Sequence, residues 1–186
     1  MIKSPIWRFS FLKIAVAIYI VPSLVACANI VPPSGGPRDS LPPYRIVAKP
    51  KDSAIGVSPK EIMIGFNEFI NTVSLNENLI VGPSLKNIPL VESKLNTLRI
   101  RINDTLLPNT TYRIQFGNAI RDVNESNIAQ DFSYVFSTGD HIDSSRLQGT
   151  VTLAETGRID SSLIVVLHPT GKDSAIFKNR PLYYAK

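Results

Sequence analysis

Four segments of the chain repeat an apolar–polar alternation with a period of two, and that pattern restricts the architecture more than any other feature. Ile62, Ile64 and Phe66 alternate with Glu61, Met63 and Gly65, and Leu98, Ile100 and Ile102 with Arg99, Arg101 and Asn103. Tyr112, Ile114 and Phe116 alternate with Arg113, Gln115 and Gly117, and Phe132, Tyr134 and Phe136 with Ser133, Val135 and Ser137. Successive side chains on a strand point to opposite faces, so each run predicts a half-buried strand. Weaker strands are expected at residues 45–48, 78–81 and 88–92. Turn residues separate them at Lys49-Pro50-Lys51-Asp52, Val81-Gly82-Pro83-Ser84, Pro108-Asn109, Gly117-Asn118 and Asp122-Val123-Asn124. No stretch after Cys27 keeps a helical period over three turns. Short strands at this spacing predict an all-β, antiparallel sandwich over residues 44–140.

A segment of another kind precedes it. Residues 1–13 carry Lys3, Arg8 and Lys13 and no acidic residue, and residues 14–28 are apolar but for Pro22 and Ser23. A charged head followed by an apolar stretch is the layout of an export signal. As a helix this stretch would cover roughly 22 Å, short of the ~30 Å hydrocarbon layer, so a removable leader is expected over residues 1–26 rather than a permanent span. Removing it takes away three basic residues, leaving 17 Lys and Arg against 15 Asp and Glu, a net charge of +2 instead of +5. No Lys/Arg run survives, so nucleic acid is not an expected partner.

The chain has one cysteine, Cys27, so no intramolecular disulfide can brace the fold. His141 and His168 lie in other segments and give Cys27 no partner for thiol catalysis. Between Cys27 and the first strand, residues 28–43 hold five prolines and two glycines. Such a stretch cannot form a helix or a central strand, and it predicts an extended tether over residues 27–43.

Leu24-Val25-Ala26-Cys27 resembles the lipobox of bacterial lipoproteins: Leu, a small or β-branched residue, Ala or Gly, then Cys. The resemblance implies that the Cys27 sulfur receives a diacylglycerol, that the leader is cut before it, and that the new amino group takes a further acyl chain such as palmitate. Two or three chains at ~0.8 kcal/mol per buried CH₂ anchor a protein stably where one does so only marginally. The alternative is a plain secretory leader or an uncleaved anchor with an incidental cysteine. The stretch from Asn29 to Asp39 resembles the start of a group of Gram-negative Ig-like lipoproteins. With no acidic run after Cys27, the resemblance implies an envelope protein at the outer membrane, facing the periplasm.

Leu107-Pro108-Asn109-Thr110-Thr111-Tyr112 places a tyrosine at a strand entrance just after a Leu-Pro turn. This resembles the tyrosine corner of immunoglobulin-type sandwiches, in which the hydroxyl of Tyr112 bonds back to the preceding connection, here expected to serve a buried carbonyl. Further segments join it: Ile64-Gly65-Phe66-Asn67-Glu68-Phe69-Ile70, Ile120-Arg121-Asp122-Val123-Asn124, and Phe132-Ser133-Tyr134-Val135-Phe136-Ser137-Thr138-Gly139. Together they resemble the bacterial Ig-like domain of surface-layer proteins over residues 42–140. Asn124 stands where that pattern usually has glycine nearby. The resemblance implies a spacer or a module engaging an envelope protein or glycan, and not an enzyme; the alternatives are a non-catalytic accessory region of a longer envelope enzyme or a secreted carbohydrate-binding module.

After a short linker at residues 141–145, strands are expected at 147–153, 163–167, 173–177 and 181–185. The wholly apolar run Leu163-Ile164-Val165-Val166-Leu167 calls for burial on both faces. This order resembles the start of a transthyretin-like or carboxypeptidase-regulatory-like β-domain, a partial second domain over residues 141–186 that reads as a truncated piece of a longer protein. The alternative is that these strands enlarge the first sandwich.

Other candidate chemistry is sparse. Glu68, Asp122, Asn124, Glu125 and Asn127 form an oxygen-rich set, but the twelve-residue cation loop needs a glycine and a distal Glu that this stretch lacks. Structural turn chemistry is the stronger reading. His141 and His168 are too isolated for a metal pair, and neither a Gly-x-Ser-x-Gly elbow nor a phosphate-binding glycine loop occurs. No metal, cofactor or catalytic residue is therefore expected.

Overall fold

The computed structural model describes residues 35–159 and 162–185. The chain divides into Met1–Arg38 and Asp39–Lys186; of the first part only residues 35–38 are described, and they carry no regular structure. The second part is built from antiparallel strands with two single helical turns. One sheet contains β1 (Arg45–Lys49), β2 (Glu61–Phe66), β5 (Leu90–Lys94) and β6 (Thr97–Arg101) in the order β1-β2-β6-β5. A facing sheet has the order β4-β7-β9, from β4 (Ile80–Gly82), β7 (Thr111–Gly117) and β9 (Phe132–Ser137). Two pairs complete it: β3 (Ile70–Thr72) with β8 (Ile120–Asp122), and β10 (Val165–Leu167) with β11 (Tyr183–Ala185). The helical turns are α1 (Leu75–Asn78) and α2 (Ala175–Lys178).

The strongest alternations form the core. Ile62, Ile64, Phe66, Leu98 and Ile100 from one sheet meet Ile114, Phe116, Tyr134 and Phe136 from the other, all fully buried. Aromatic rings fill the centre: Phe66 and Phe132 lie 5.1 Å apart, Tyr112 and Phe136 stack at 5.4 Å. Such contacts contribute about 0.5–1.5 kcal/mol each beyond the area they bury. The fold is an all-β antiparallel sandwich.

Several expected details differ. Val135 and Ser137 on β9 are buried, although alternation pointed them outward. The connection after β1 runs alongside β9 and covers them: Ser53 N–H donates to Val135 O at 2.8 Å, Ser137 N–H to Ala54 O at 2.8 Å, and Val57 N–H to Ser137 O at 3.0 Å. The strand expected at 78–81 starts two residues later, because residues 75–78 close a helical turn. The strand expected at 88–92 runs from Leu90 to Lys94, and Ile88 is 80% exposed. The three-residue strands β3 and β8 are too short to show a period.

Beyond the sandwich the departures are larger. Residues 147–153 form no strand and contribute only an isolated bridge between Thr152 and Ile159. The strand expected at 173–177 is the helical turn α2. The run at 163–167 forms a strand only over Val165–Leu167, and Leu163, Ile164, Val165, Val166 and Leu167 are all exposed rather than covered on both faces.

Candidate functional site: the two ends of the sandwich

Chain direction separates two ends. β1 begins opposite the end of β2, with Arg45 paired to Phe66, and β9 begins beside it, since the Arg45 guanidinium donates to Ser133 O. At the other end β9 finishes with Ser137 paired to Thr111, the first residue of β7. The chain thus enters the sandwich at one end and leaves at the opposite one.

The entrance is held by side chains that a turn presents. Asp122, the last residue of β8, is 2% exposed and spends both carboxylate oxygens on the backbone that follows it. Oδ1 accepts the N–H groups of Glu125 at 2.6 Å and Ser126 at 2.9 Å, and Oδ2 that of Asn127 at 2.9 Å. Burial alone would raise its pKa; the N–H donors from Asn124 to Asn127 together outweigh that and hold the carboxyl below its ordinary value. Asn127, so positioned, donates Nδ2–H to the carbonyls of Asp39 at 3.1 Å and Leu41 at 3.2 Å. Asn67 Oδ1 takes the Tyr44 N–H at 2.7 Å, and Pro43 is buried. The end of the proline-rich stretch, from Asp39 onward, is therefore fastened to the sandwich. Glu68 lies near the same end; burial, then the negative charges of Asp122, Asp39 and Glu125, push its carboxyl upward against the Asn67 hydrogen bond.

Of the oxygen-rich set, the structure gathers Glu68, Asp122, Glu125 and Asn127 at this end. Asp122, the residue that would lead a cation loop, is turned onto backbone N–H groups, as turn chemistry requires. Among the described residues no group of three or more His, Cys, Asp or Glu side chains is arranged to hold a metal ion.

The exit is built around Tyr112, 2% exposed. The Leu107 N–H donates to the Tyr112 hydroxyl oxygen at 2.8 Å, so the hydroxyl accepts from the preceding connection rather than serving a carbonyl. The Leu107 carbonyl has another donor, the Thr138 hydroxyl at 2.7 Å. Burial raises the Tyr112 pKa, partly offset by the Leu107 bond. Thr138 Oγ1 also accepts the Thr110 N–H at 2.9 Å, and the Gly139 carbonyl accepts the Gly56 N–H at 2.6 Å. The last residues of the sandwich are thus fixed to two neighbouring loops. His141 follows in solvent, 2.7 Å from Asp140 and 3.3 Å from Asp143; the Asp140 hydrogen bond leads the effects that raise its pKa. His168 belongs to the later segment, where its Nδ1 is buried without a partner among the described residues.

One cluster was not visible in the pattern. Arg45 pairs with Asp52 at 2.8 Å and stands over the Phe132 ring, its guanidinium carbon 5.7 Å from the centroid. Asp52 accepts the Val135 N–H at 3.0 Å, and the Tyr134 hydroxyl donates to Pro50 O at 2.9 Å. Burial and then Asp52 push the Tyr134 hydroxyl up to about 12. The available signal was Tyr134 itself, because a tyrosine at core spacing needs a partner for its hydroxyl. Leu24, Val25, Ala26 and Cys27 lie outside the described residues.

A family model described as bacterial Ig-like domain matches residues 39–138. No curated protein matches the chain. Among solved structures, the S-layer protein SbsC is similar at 17% identity and a TM-score of 0.37 over 68% of this chain and 20% of that one. The N-terminal part of SbsC is similar at 15% identity and a TM-score of 0.36 over 78% of this chain and 38% of that one. The chain thus spans well under half the length of either.

Proposed function

The chain belongs to the bacterial Ig-like domain family, and from that premise we propose a lipid-anchored envelope protein whose sandwich acts as a spacer or a protein- or glycan-interaction module, without catalysis. The observation that carries this reading is the separation of the entrance, at Asp39 to Tyr44, from the exit, at Ser137 to Gly139, with both fastened by side chains. A module entered and left at opposite ends adds its own length to whatever it joins. The seven residues of β7 alone correspond to about 20–23 Å at roughly 3.3 Å per residue. Spacing is favoured over glycan capture because Phe66, Tyr112, Phe116, Tyr134 and Phe136 are consumed in the core, leaving Tyr44, Phe69, Phe177 and Tyr183 as the exposed aromatic residues among those described.

In this reading the lipobox-like Leu24-Val25-Ala26-Cys27 delivers the protein to the outer membrane, facing the periplasm. Acyl chains on Cys27 hold it there, and the stretch to Arg38 is the tether. Cys27→Ser is expected to move the protein from the detergent phase to the aqueous phase in a phase-partitioning assay, and the mature protein is expected to begin at Cys27. Unchanged partitioning, or a different amino terminus, overturns the anchor. A second reading, an accessory region of a longer envelope enzyme, is favoured by the exposed apolar run at 163–167, a surface that further protein would cover.

A further inference from the structure

The edges of the two main sheets are treated differently. In the four-stranded sheet, edge strand β1 carries Arg45 and Lys49 and a register shift between Arg45 and Val47, and edge strand β5 carries Glu92 and Lys94. Charges and bulges discourage a second chain from adding a strand. In the three-stranded sheet, the free side of β9 is covered by the connection through Ser53 and Val57. Its other edge, Leu79-Ile80-Val81-Gly82-Pro83-Ser84-Leu85, has no charge at all.

That uncharged edge is occupied by residues 180–184. The Ser84 N–H donates to Leu182 O at 2.8 Å, and the Tyr184 hydroxyl approaches Leu79 O at 3.5 Å. Arg180 Nη1 donates to Leu85 O at 3.0 Å and also to Lys86 O. The Tyr183 ring lies against Gly82, where a Cβ would come within 2.9 Å of it. Three backbone groups between Ser84 and Lys86 are thereby engaged, with the Tyr184 hydroxyl at the limit of reach from Leu79 O.

We propose that residues 180–184 are a strap that guards the β4 edge, and that the partner excluded is a second copy of the chain. A strand edge offered by two identical molecules is self-complementary about a two-fold axis, so antiparallel β4–β4 pairing is the association that the uncovered edge would favour. The strap substitutes for the charges that protect β1 and β5.

The test uses the full chain carrying Cys27→Ser in every arm, so that neither acylation nor thiol pairing contributes. In Arg180→Ala/Tyr183→Ala, exchange of the Ser84 amide is expected to rise about tenfold or more while the Ile114 amide on β7 keeps its protection, and sedimentation velocity is expected to show dimer where the parent is monomer. Adding Gly82→Glu, which sits opposite Arg113 on β7, is expected to restore the monomer by charging the edge. Three results would overturn the proposal: a Ser84 amide already unprotected in the parent, a double variant that exchanges faster yet stays monomeric, or association that Gly82→Glu leaves unchanged.

Discussion

Phe116 and Phe177 are the same side chain in opposite situations. Phe116 is fully buried between the sheets, whereas Phe177, on the helical turn α2, is 89% exposed. The contrast extends to their surroundings. Residues 44–138 enclose a continuous aliphatic and aromatic core, while Leu163, Ile164, Val165, Val166, Leu167 and Ile176 stand in solvent. Apolar content alone therefore does not make a core. The sandwich encloses its apolar residues because two sheets face each other across them, whereas among the described residues the later segment has one two-stranded ladder and no second sheet facing it.

The largest expected effect tests that contrast directly. Phe116→Ala is expected to destabilise by about 3–5 kcal/mol, the usual range for emptying a buried phenylalanine site. Phe177→Ala is expected to stay within about 0.5 kcal/mol, as surface substitutions do. Urea unfolding of the two variants decides it. A comparable loss in Phe177→Ala would mean that the later segment has a packed interior after all.

The same contrast explains what could be read from residue order. Alternation at 61–66, 97–102 and 111–117 is legible because each of these strands has one face inside and one open to water, and period two records that directly; at 132–137 the sequence alternates although the second face is covered as well. The run at 163–167 misled for the complementary reason: five apolar residues in a row have no period, and only tertiary cover decides whether they are inside. Val135 and Ser137 are buried against their alternation because their cover is the irregular chain at 53–57, which no periodicity announces. At the entrance, Asp122 and Asn127 stand out in the sequence for their oxygens, yet the grip on Asp39 and Leu41 crosses more than eighty positions of sequence. Arg45 and Asp52 are seven positions apart, but the bonds that join Pro50 and Asp52 to Tyr134 and Val135 cross more than eighty, which hides that cluster too.

An intermediate effect is expected at Asp122, and it sharpens the comparison by asking whether the entrance belongs to the cooperative core. Asp122→Ala removes the acceptor for three backbone donors at about 1–3 kcal/mol each, but these amides are only part-buried, so water replaces some of what is lost and the expected loss is roughly 2–4 kcal/mol. The pH dependence has a definite sign. The folded carboxyl titrates below its ordinary value of 3.8, so its contribution is complete above the unfolded pKa and is lost as pH falls through the lower, folded one. Stability measured from pH 6 downward should decline below about pH 4 in the parent and less steeply in Asp122→Ala. Equal acid slopes would mean that the turn opens independently of the sandwich.

The smallest effect contrasts two tyrosine hydroxyls. Tyr112→Phe leaves the Leu107 N–H without its acceptor, and because that amide is only partly buried, water replaces some of what is lost; the expected cost is about 1 kcal/mol. Had the hydroxyl served a buried carbonyl, the cost would reach further into the 1–3 kcal/mol range, but Thr138 supplies the Leu107 carbonyl and keeps doing so in the variant. Tyr184→Phe removes a contact of 3.5 Å between the strap and Leu79, too long to contribute much, and is expected to leave global stability unchanged while speeding exchange locally at the β4 edge. If Tyr184→Phe proved the costlier of the two, the strap would have to be part of the cooperative unit, and the boundary between the enclosed and the open region would move to the far side of β11.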